Sequence, residues 1–116
     1  MTIYDGEFRS TRRRDAFYKF RDVSIHQVIV DLNIELEPRE FSNLVETVIQ
    51  FGTPALKISI DDDSHSLEFF VLFDSMYGDY TIAQGPLPKN SSYKTFHLEA
   101  DAIKYVKDLV RQTILS

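Results

Sequence analysis

The chain of 116 residues contains no cysteine. This absence excludes a disulfide framework, a thiolate metal site and a cysteine nucleophile. Glycine and proline are also scarce, at four residues each, while 43% of the residues are hydrophobic, which is typical of one folded domain that depends on packing. No apolar run approaches the roughly 18 residues of a membrane span, and none follows the polar, basic residues 1–14. We therefore expect a cytoplasmic location and no membrane contact.

The net charge of -5 is distributed unevenly along the chain. Residues 1–21 carry six basic and three acidic side chains, a net charge of +3, whereas residues 22–116 carry seven basic and fifteen acidic ones, a net charge of -8. The composition changes near Arg21, which predicts a basic, aromatic-rich leader over residues 1–21 and a single α+β domain over residues 22–116.

Two neighbouring segments carry the clearest periodic patterns. Residues 27–37 alternate between apolar and polar side chains, and a period of two predicts a half-buried strand. Apolar residues then recur at helical spacing between Phe41 and Phe51. Pro38 suits the first turn of a helix, and Gly52 suits its end, so we expect a helix between them.

The rest of the sequence predicts a hairpin, further strands and a terminal helix. Two apolar stretches flank a polar turn, and the second is continuous enough for a central strand. Leu98, Ala102, Val106, Leu109, Val110 and Ile114 mark one face of the terminal helix. The expected elements are strands at residues 56–60 and 67–73, a turn at 75–78, a strand at 79–83, an exposed loop at 85–92, a strand at 93–96 and a helix from 98 to 114.

These elements together predict an α+β fold. The expected order is (α)-β-α-β-β-β-(β)-α, where parentheses mark the two weakest patterns, one of them a short helix at Arg12–Arg21. Such an order favours a mostly antiparallel sheet of four or five strands with helices packed on one face. The opposite face would then display Phe70 and Leu72, where a second copy of the chain could dock to form a homodimer, and the alternative is that helices pack over both faces.

The acidic turn after the predicted strand at 56–60 is the first candidate site. Asp61, Asp62 and Asp63, with His65 and Glu68 nearby, are residue types that bind divalent cations. The segment lacks the glycine bend of a calcium loop, which favours a solvated acidic turn and no metal site. We interpret Asp61, Asp62, Asp63 and Glu68 as residues that contact a basic protein partner.

No catalytic or cofactor motif accompanies this turn. The three histidines are scattered along the chain, and the sequence contains no nucleophile elbow, glycine-rich phosphate loop or zinc-protease helix. We therefore expect no cofactor and no enzymatic activity. The acidic composition favours a small interaction protein, an inhibitor or regulator such as phage-, plasmid- or immunity-type proteins, whose acidic surface binds a basic protein.

The basic leader supports an alternative hypothesis. Guanidinium groups neutralise phosphates while aromatic rings stack on bases, so the leader has the composition of a nucleic-acid-binding segment. The same pattern also fits a first helix that buries Phe17 and Phe20 and pairs its cations with acidic side chains. The residues assigned to nucleic acid under the alternative are Arg12, Arg13, Arg14, Lys19 and Arg21.

Overall fold

The computed structural model describes residues 8, 10–50, 52–73, 79–84 and 92–114. The turn expected at residues 75–78 and nearly all of the loop at 85–92 lie outside this part of the chain. The helices are α1 (Thr11–Lys19), a π-helical turn (Phe20–Ser24), α2 (Ile25–Glu35) and α3 (Glu99–Ile114). The strands are β1 (Ser42–Gln50), β2 (Thr53–Asp61), β3 (Ser66–Leu72), β4 (Tyr80–Ala83) and β5 (Tyr93–Phe96).

The leading helix begins at a capping serine. The Ser10 hydroxyl oxygen accepts a hydrogen bond from the backbone N–H of Arg13 at 3.2 Å, which satisfies one of the donors left open in the first turn. Phe17 and Phe20 are fully buried and join the same core as the sheet. The short helix expected at Arg12–Arg21 is therefore present, and it packs by its aromatic side chains.

The strand predicted over residues 27–37 is wrong, because this segment is helix α2. Its buried residues, Ile25, Val28, Ile29 and Leu32, follow the helical spacing of three and four. Val30 and Ile34 belong to the apolar alternation but are 50% and 71% exposed. Valine and isoleucine favour strands, but this segment is a helix because its buried face packs against the sheet, and that packing outweighs the preference.

The helix predicted between Pro38 and Phe51 is also wrong, because residues 42–50 form strand β1. Gly52 has a φ of 77°, a left-handed conformation that glycine adopts readily, and it lies in the short connection between Gln50 and Thr53. Gly52, which the sequence places at the end of a helix, therefore lies in the turn of a β-hairpin. Burial along β1 only partly alternates, which explains why the apolar spacing resembles that of a helix.

The sheet has the order β1-β2-β3-β4-β5, and every neighbouring pair is antiparallel. The predicted hairpin is confirmed as β2 and β3, and β3 is central as expected. Five strands with helices on one face confirm the predicted α+β class. None of the helices in the described part of the chain is long and apolar enough to cross a membrane.

The main core lies between the helices and one face of the sheet. Helix α3 buries Ala102, Val106, Leu109, Val110 and Ile114, as its pattern predicts, whereas Leu98 precedes the helix and is 63% exposed. The opposite face carries a smaller cluster of Ala55, Leu72 and Ala83, against which Val48 and Phe70 pack. Phe70 and Leu72 thus lie on the predicted face, although Leu72 is only 4% exposed.

Candidate functional site

The turn between β2 and β3 is organised around the carboxylate of Asp62. Its Oδ1 accepts hydrogen bonds from the backbone N–H groups of Ser64 and His65, at 2.9 and 2.7 Å. The Nδ1 of His65 lies 3.1 Å from the same oxygen. The hydrogen bond from Ser64, with those from His65 and Arg39, lowers the pKa of Asp62 to about 2.

A single arginine connects this turn to the loop that precedes β1. The Nη1 of Arg39 donates to the Oδ2 of Asp62 at 2.7 Å, so both carboxylate oxygens of Asp62 are occupied. The Asp62 side chain is only 4% exposed. Asp62 therefore holds the turn in shape and presents little surface to another molecule, although the sequence assigns it to partner contact.

The remaining acidic side chains of this region face solvent. Asp63 is exposed and Asp61 is half-buried, while Glu37 and Glu40 are exposed on either side of Arg39. Among the residues that the structure describes, none of these four carboxylates forms an ion pair. Their position at one edge follows from two contacts, the Arg39–Asp62 ion pair and the pairing of Ser42 with Asp61. We call Glu37, Glu40, Asp61 and Asp63 the acidic end.

Glu68, the fourth acidic residue that the sequence assigns to partner contact, lies on β3, on the sheet face opposite the helices. It pairs with Ser59 along β3, two residues beyond Ser66, which faces Asp61. Its Oε2 is 3.6 Å from the Nζ of Lys57 on the neighbouring strand. Asp61 and Glu68 therefore share this face at diagonal positions, and Glu68 differs from Asp61 in having an ion-pair partner, Lys57.

The opposite end of the sheet carries the basic residues of α1. A cleft of about 300 Å³ lies between α1 and the start of β4, and its lining includes Ala16, Phe73 and Tyr80. The Nη2 of Arg12 lies 3.1 Å from the Oδ1 of Asp79, and that of Arg13 lies 3.4 Å from it.

Asp79 also meets a histidine at the rim of this cleft. Its Oδ2 lies 3.3 Å from the Nδ1 of His97. Burial alone would raise the pKa of Asp79, but the contacts with His97, Arg12 and Arg13 outweigh it, and the pKa is lowered. The arginines of the cleft are therefore already paired with a carboxylate of the same chain.

Other cations of the leading segment also have acidic partners. Lys19 lies 3.0 Å from Glu99 at the start of α3. Arg21 lies 2.7 Å from Asp22, and its guanidinium carbon lies 4.7 Å from the centre of the Tyr18 ring. A looser contact joins Arg14 and Asp15 at 3.7 Å.

This arrangement bears on the nucleic-acid hypothesis. A phosphate would have to compete with Asp79 and Glu99 for the cations, and the rings of Phe17 and Phe20 are too deeply buried to stack on bases. The internal ion pairs agree better with the other interpretation of the leader, in which a packed helix pairs its cations with the acidic body.

The described residues contain no group of three or more histidine, aspartate or glutamate side chains that could hold a metal ion. In the same part of the chain, every buried side-chain nitrogen or oxygen has a hydrogen-bond partner. The polar groups at Asp62 and Asp79 are therefore accounted for by contacts within the chain.

No family model, no curated protein and no solved structure matches this chain. The two ends of the sheet are the features of the described residues from which a function can be inferred.

Sequence reasoning missed Glu37, Arg39 and Glu40 as parts of the acidic end. The segment was assigned to the start of a helix, which hid its position beside the turn at Asp62. Acidic residues and proline are both favoured in the first turn of a helix, so the sequence around Pro38 carries no signal against that assignment.

Proposed function

We propose that the protein is a small non-enzymatic interaction protein, an inhibitor or regulator, that binds a basic protein partner through the acidic end. The observation that carries the proposal is the gathering of Glu37, Glu40, Asp61 and Asp63 at one end of the sheet, without ion-pair partners among the described residues. Carboxylates without internal partners attract a basic surface and speed its encounter. A cytoplasmic location and a protein partner, with a homodimer as a further option, belong to the same proposal.

The two ends of the sheet are far enough apart to act separately. β3 has seven residues, and a strand rises about 3.3 Å per residue, so the acidic end and the α1 cleft are separated by roughly 23 Å along it. The Debye length at physiological ionic strength is about 8 Å. A basic partner at the acidic end is therefore screened from the cations of α1.

The turn is also suited to binding because it is rigid. Asp62 bonds to Ser64, His65 and Arg39, which fixes the backbone on which Asp61 and Asp63 are displayed. Side chains on a fixed backbone lose less conformational entropy on association than those on a loose loop.

The proposal is tested by affinity purification of the tagged protein from its native cells, with and without nuclease and at low and high salt. We expect a basic protein to be retained after nuclease treatment and lost as salt rises. The variant Glu40→Lys with Asp63→Lys should slow association with that protein by about tenfold or more, because the field at the acidic end is reversed.

The matched control is Asp15→Lys with Asp101→Lys, which changes the net charge equally at exposed positions away from the acidic end. Circular dichroism confirms that both variants fold. Equal slowing by both variants, or binding that is insensitive to salt, would overturn the proposal. Loss of the captured material on nuclease treatment would instead support the nucleic-acid alternative through Arg12, Arg13, Arg14, Lys19 and Arg21.

A further inference from the structure

Strand β1 lies at one edge of the sheet. It pairs with β2 over nine residues, from Ser42 to Gln50, and with no other strand in the described part of the chain. At about 3.3 Å per residue the edge is roughly 30 Å long. Every second residue of an edge strand directs its backbone N–H and C=O away from the sheet, where another strand can pair with them.

The start of this edge is held in place by a side chain of α2. The Oδ1 of Asn33 accepts a hydrogen bond from the backbone N–H of Phe41 at 2.7 Å, and its Nδ2 donates to the carbonyl of Phe41 at 3.3 Å. The amide imitates a neighbouring strand at Phe41, the residue before β1. The chain therefore enters β1 already extended, and a docking strand would meet a preformed edge.

On one face of the sheet, the side chains of β1 combine a carboxylate with apolar residues on either side. Leu44, Glu46 and Val48 alternate along the strand and share the sheet face opposite the helices. Glu46 faces Lys57 in register, but the Lys57 ammonium lies 3.6 Å from Glu68 on the far side. Among the described residues Glu46 consequently has no ion-pair partner.

We infer that β1 is the docking edge for an extended, basic segment of the partner, which adds to the sheet as a further strand. The inference rests on the proposed function and names the form in which the basic partner binds. A lysine or arginine of the segment faces Glu46, with apolar residues two positions to either side against Leu44 and Val48. The carboxylates of Glu40 and Asp61 lie beside the Ser42 end of β1 and favour further basic residues there.

A second copy of the chain is a poorer occupant of this edge. Antiparallel pairing of β1 with its own copy, centred on the strand, would place Glu46 opposite Glu46. Like charges directly opposite one another destabilise a sheet. A single charge in the middle of an edge strand is a common means by which proteins prevent such self-pairing.

The test uses a short peptide of alternating threonine and valine with a central lysine, and the same peptide with a central glutamate. We expect the full-length protein to bind the lysine peptide more tightly. Hydrogen exchange should show that amides of β1 become protected on binding, while those of α1 do not change.

Charge exchange provides the matched variant. Glu46→Lys should lower the affinity for the lysine peptide by about fivefold and raise that for the glutamate peptide, since a cross-strand ion pair becomes a repulsion. Asp15→Lys, with the same charge change on α1, should leave the preference between the two peptides unchanged. A merely structural role of Glu46 would not produce this reversal of preference.

The outcomes separate the inference from the proposed function. Salt-sensitive binding of the lysine peptide without protection of β1 would overturn the docking edge and leave the acidic end standing. No binding of either peptide would also overturn the docking edge, while the purification experiment decides the proposed function independently. Protection of β1 that rises with protein concentration in the absence of peptide would assign the edge to a second copy.

Discussion

At the scale of single residues, Asp62 makes stability depend on pH. Its folded-state pKa of about 2 lies below the ordinary 3.8, because the charged form accepts hydrogen bonds from Ser64, His65 and Arg39. A lowered folded pKa means that the unfolded chain takes up the proton first as the pH falls. The contribution of Asp62 is therefore fully present above pH 3.8 and is lost as the pH falls toward 2.

We expect Asp62→Asn to weaken this dependence in urea unfolding curves measured between neutral and acid pH. The amide oxygen still accepts the two backbone hydrogen bonds but lacks the charge that Arg39 contacts, so Asp62→Ala should cost more stability than Asp62→Asn. Asp63→Asn is the control, since Asp63 is exposed and makes no hydrogen bond within the described residues. If the free energy of unfolding fell as steeply with acid in Asp62→Asn as in the wild type, Asp62 would not be the source of the pH dependence.

At the scale of elements, the hairpin and α3 were predictable because their patterns admit one interpretation. The apolar run of β3 is too short for a buried helix, and the adjacent Leu109 and Val110 on α3 fit a helical stripe from Ala102 to Ile114 but not a period of two. Residues 25–36 are different, since Val28 and Leu32 satisfy both a period of two and a spacing of four. Val30 and Ile34 are exposed on the helix, but in the sequence they extend the alternation that is typical of a strand.

The two interpretations of α2 predict different effects of mutation. In a strand, Val30 and Leu32 would be equivalent core residues, whereas in α2 Leu32 is fully buried and Val30 is half exposed. Leu32→Ala should lower the free energy of unfolding by about 2–5 kcal/mol. Val30→Ala should change it by no more than about 0.5 kcal/mol, because alanine also favours the helix. Equal losses in chemical unfolding would contradict the helix.

The exchange of helix and strand around Pro38 has a further physical reason. A helix and a strand are each stabilised by the surface that they cover, and neither segment determines that surface alone. Pairing of β1 with β2 depends on a partner strand, and the position of α2 depends on the sheet beneath it. The α+β class was predictable because the hairpin, the later strands and α3 were recognisable, but which of the two segments became the strand was not.

At the scale of the whole molecule, folding places the acidic end and the cations of α1 at opposite ends of the sheet. The contacts that create them join residues distant in sequence, such as Arg39 with Asp62 and Lys19 with Glu99. The uneven distribution of charge was visible in the sequence, whereas the pairing that occupies Asp62 and leaves Asp61 and Asp63 exposed depends on the tertiary structure.

Packing between α1 and the sheet determines whether residues 1–21 behave as a leader apart from the remaining domain. The rings of Phe17 and Phe20 lie 5.6 and 5.7 Å from that of Phe73, and all three side chains are fully buried. We therefore expect helix α1 and the sheet to unfold together. Phe17→Ala should lower the free energy of unfolding by about 3–5 kcal/mol, since it opens a cavity in the shared core.

The measurement is urea unfolding followed by far-ultraviolet circular dichroism and by tyrosine fluorescence, whose curves should coincide in the wild type. Val23→Ala is the control, because Val23 is 58% exposed on the π-helical turn and its loss should change stability by no more than about 0.5 kcal/mol. Two separate transitions, or a Phe17→Ala effect as small as that of Val23→Ala, would mean that α1 folds apart from the sheet. The boundary near Arg21 would then mark a physical division, and the cations of α1 could leave Asp79 and Glu99 to reach another molecule.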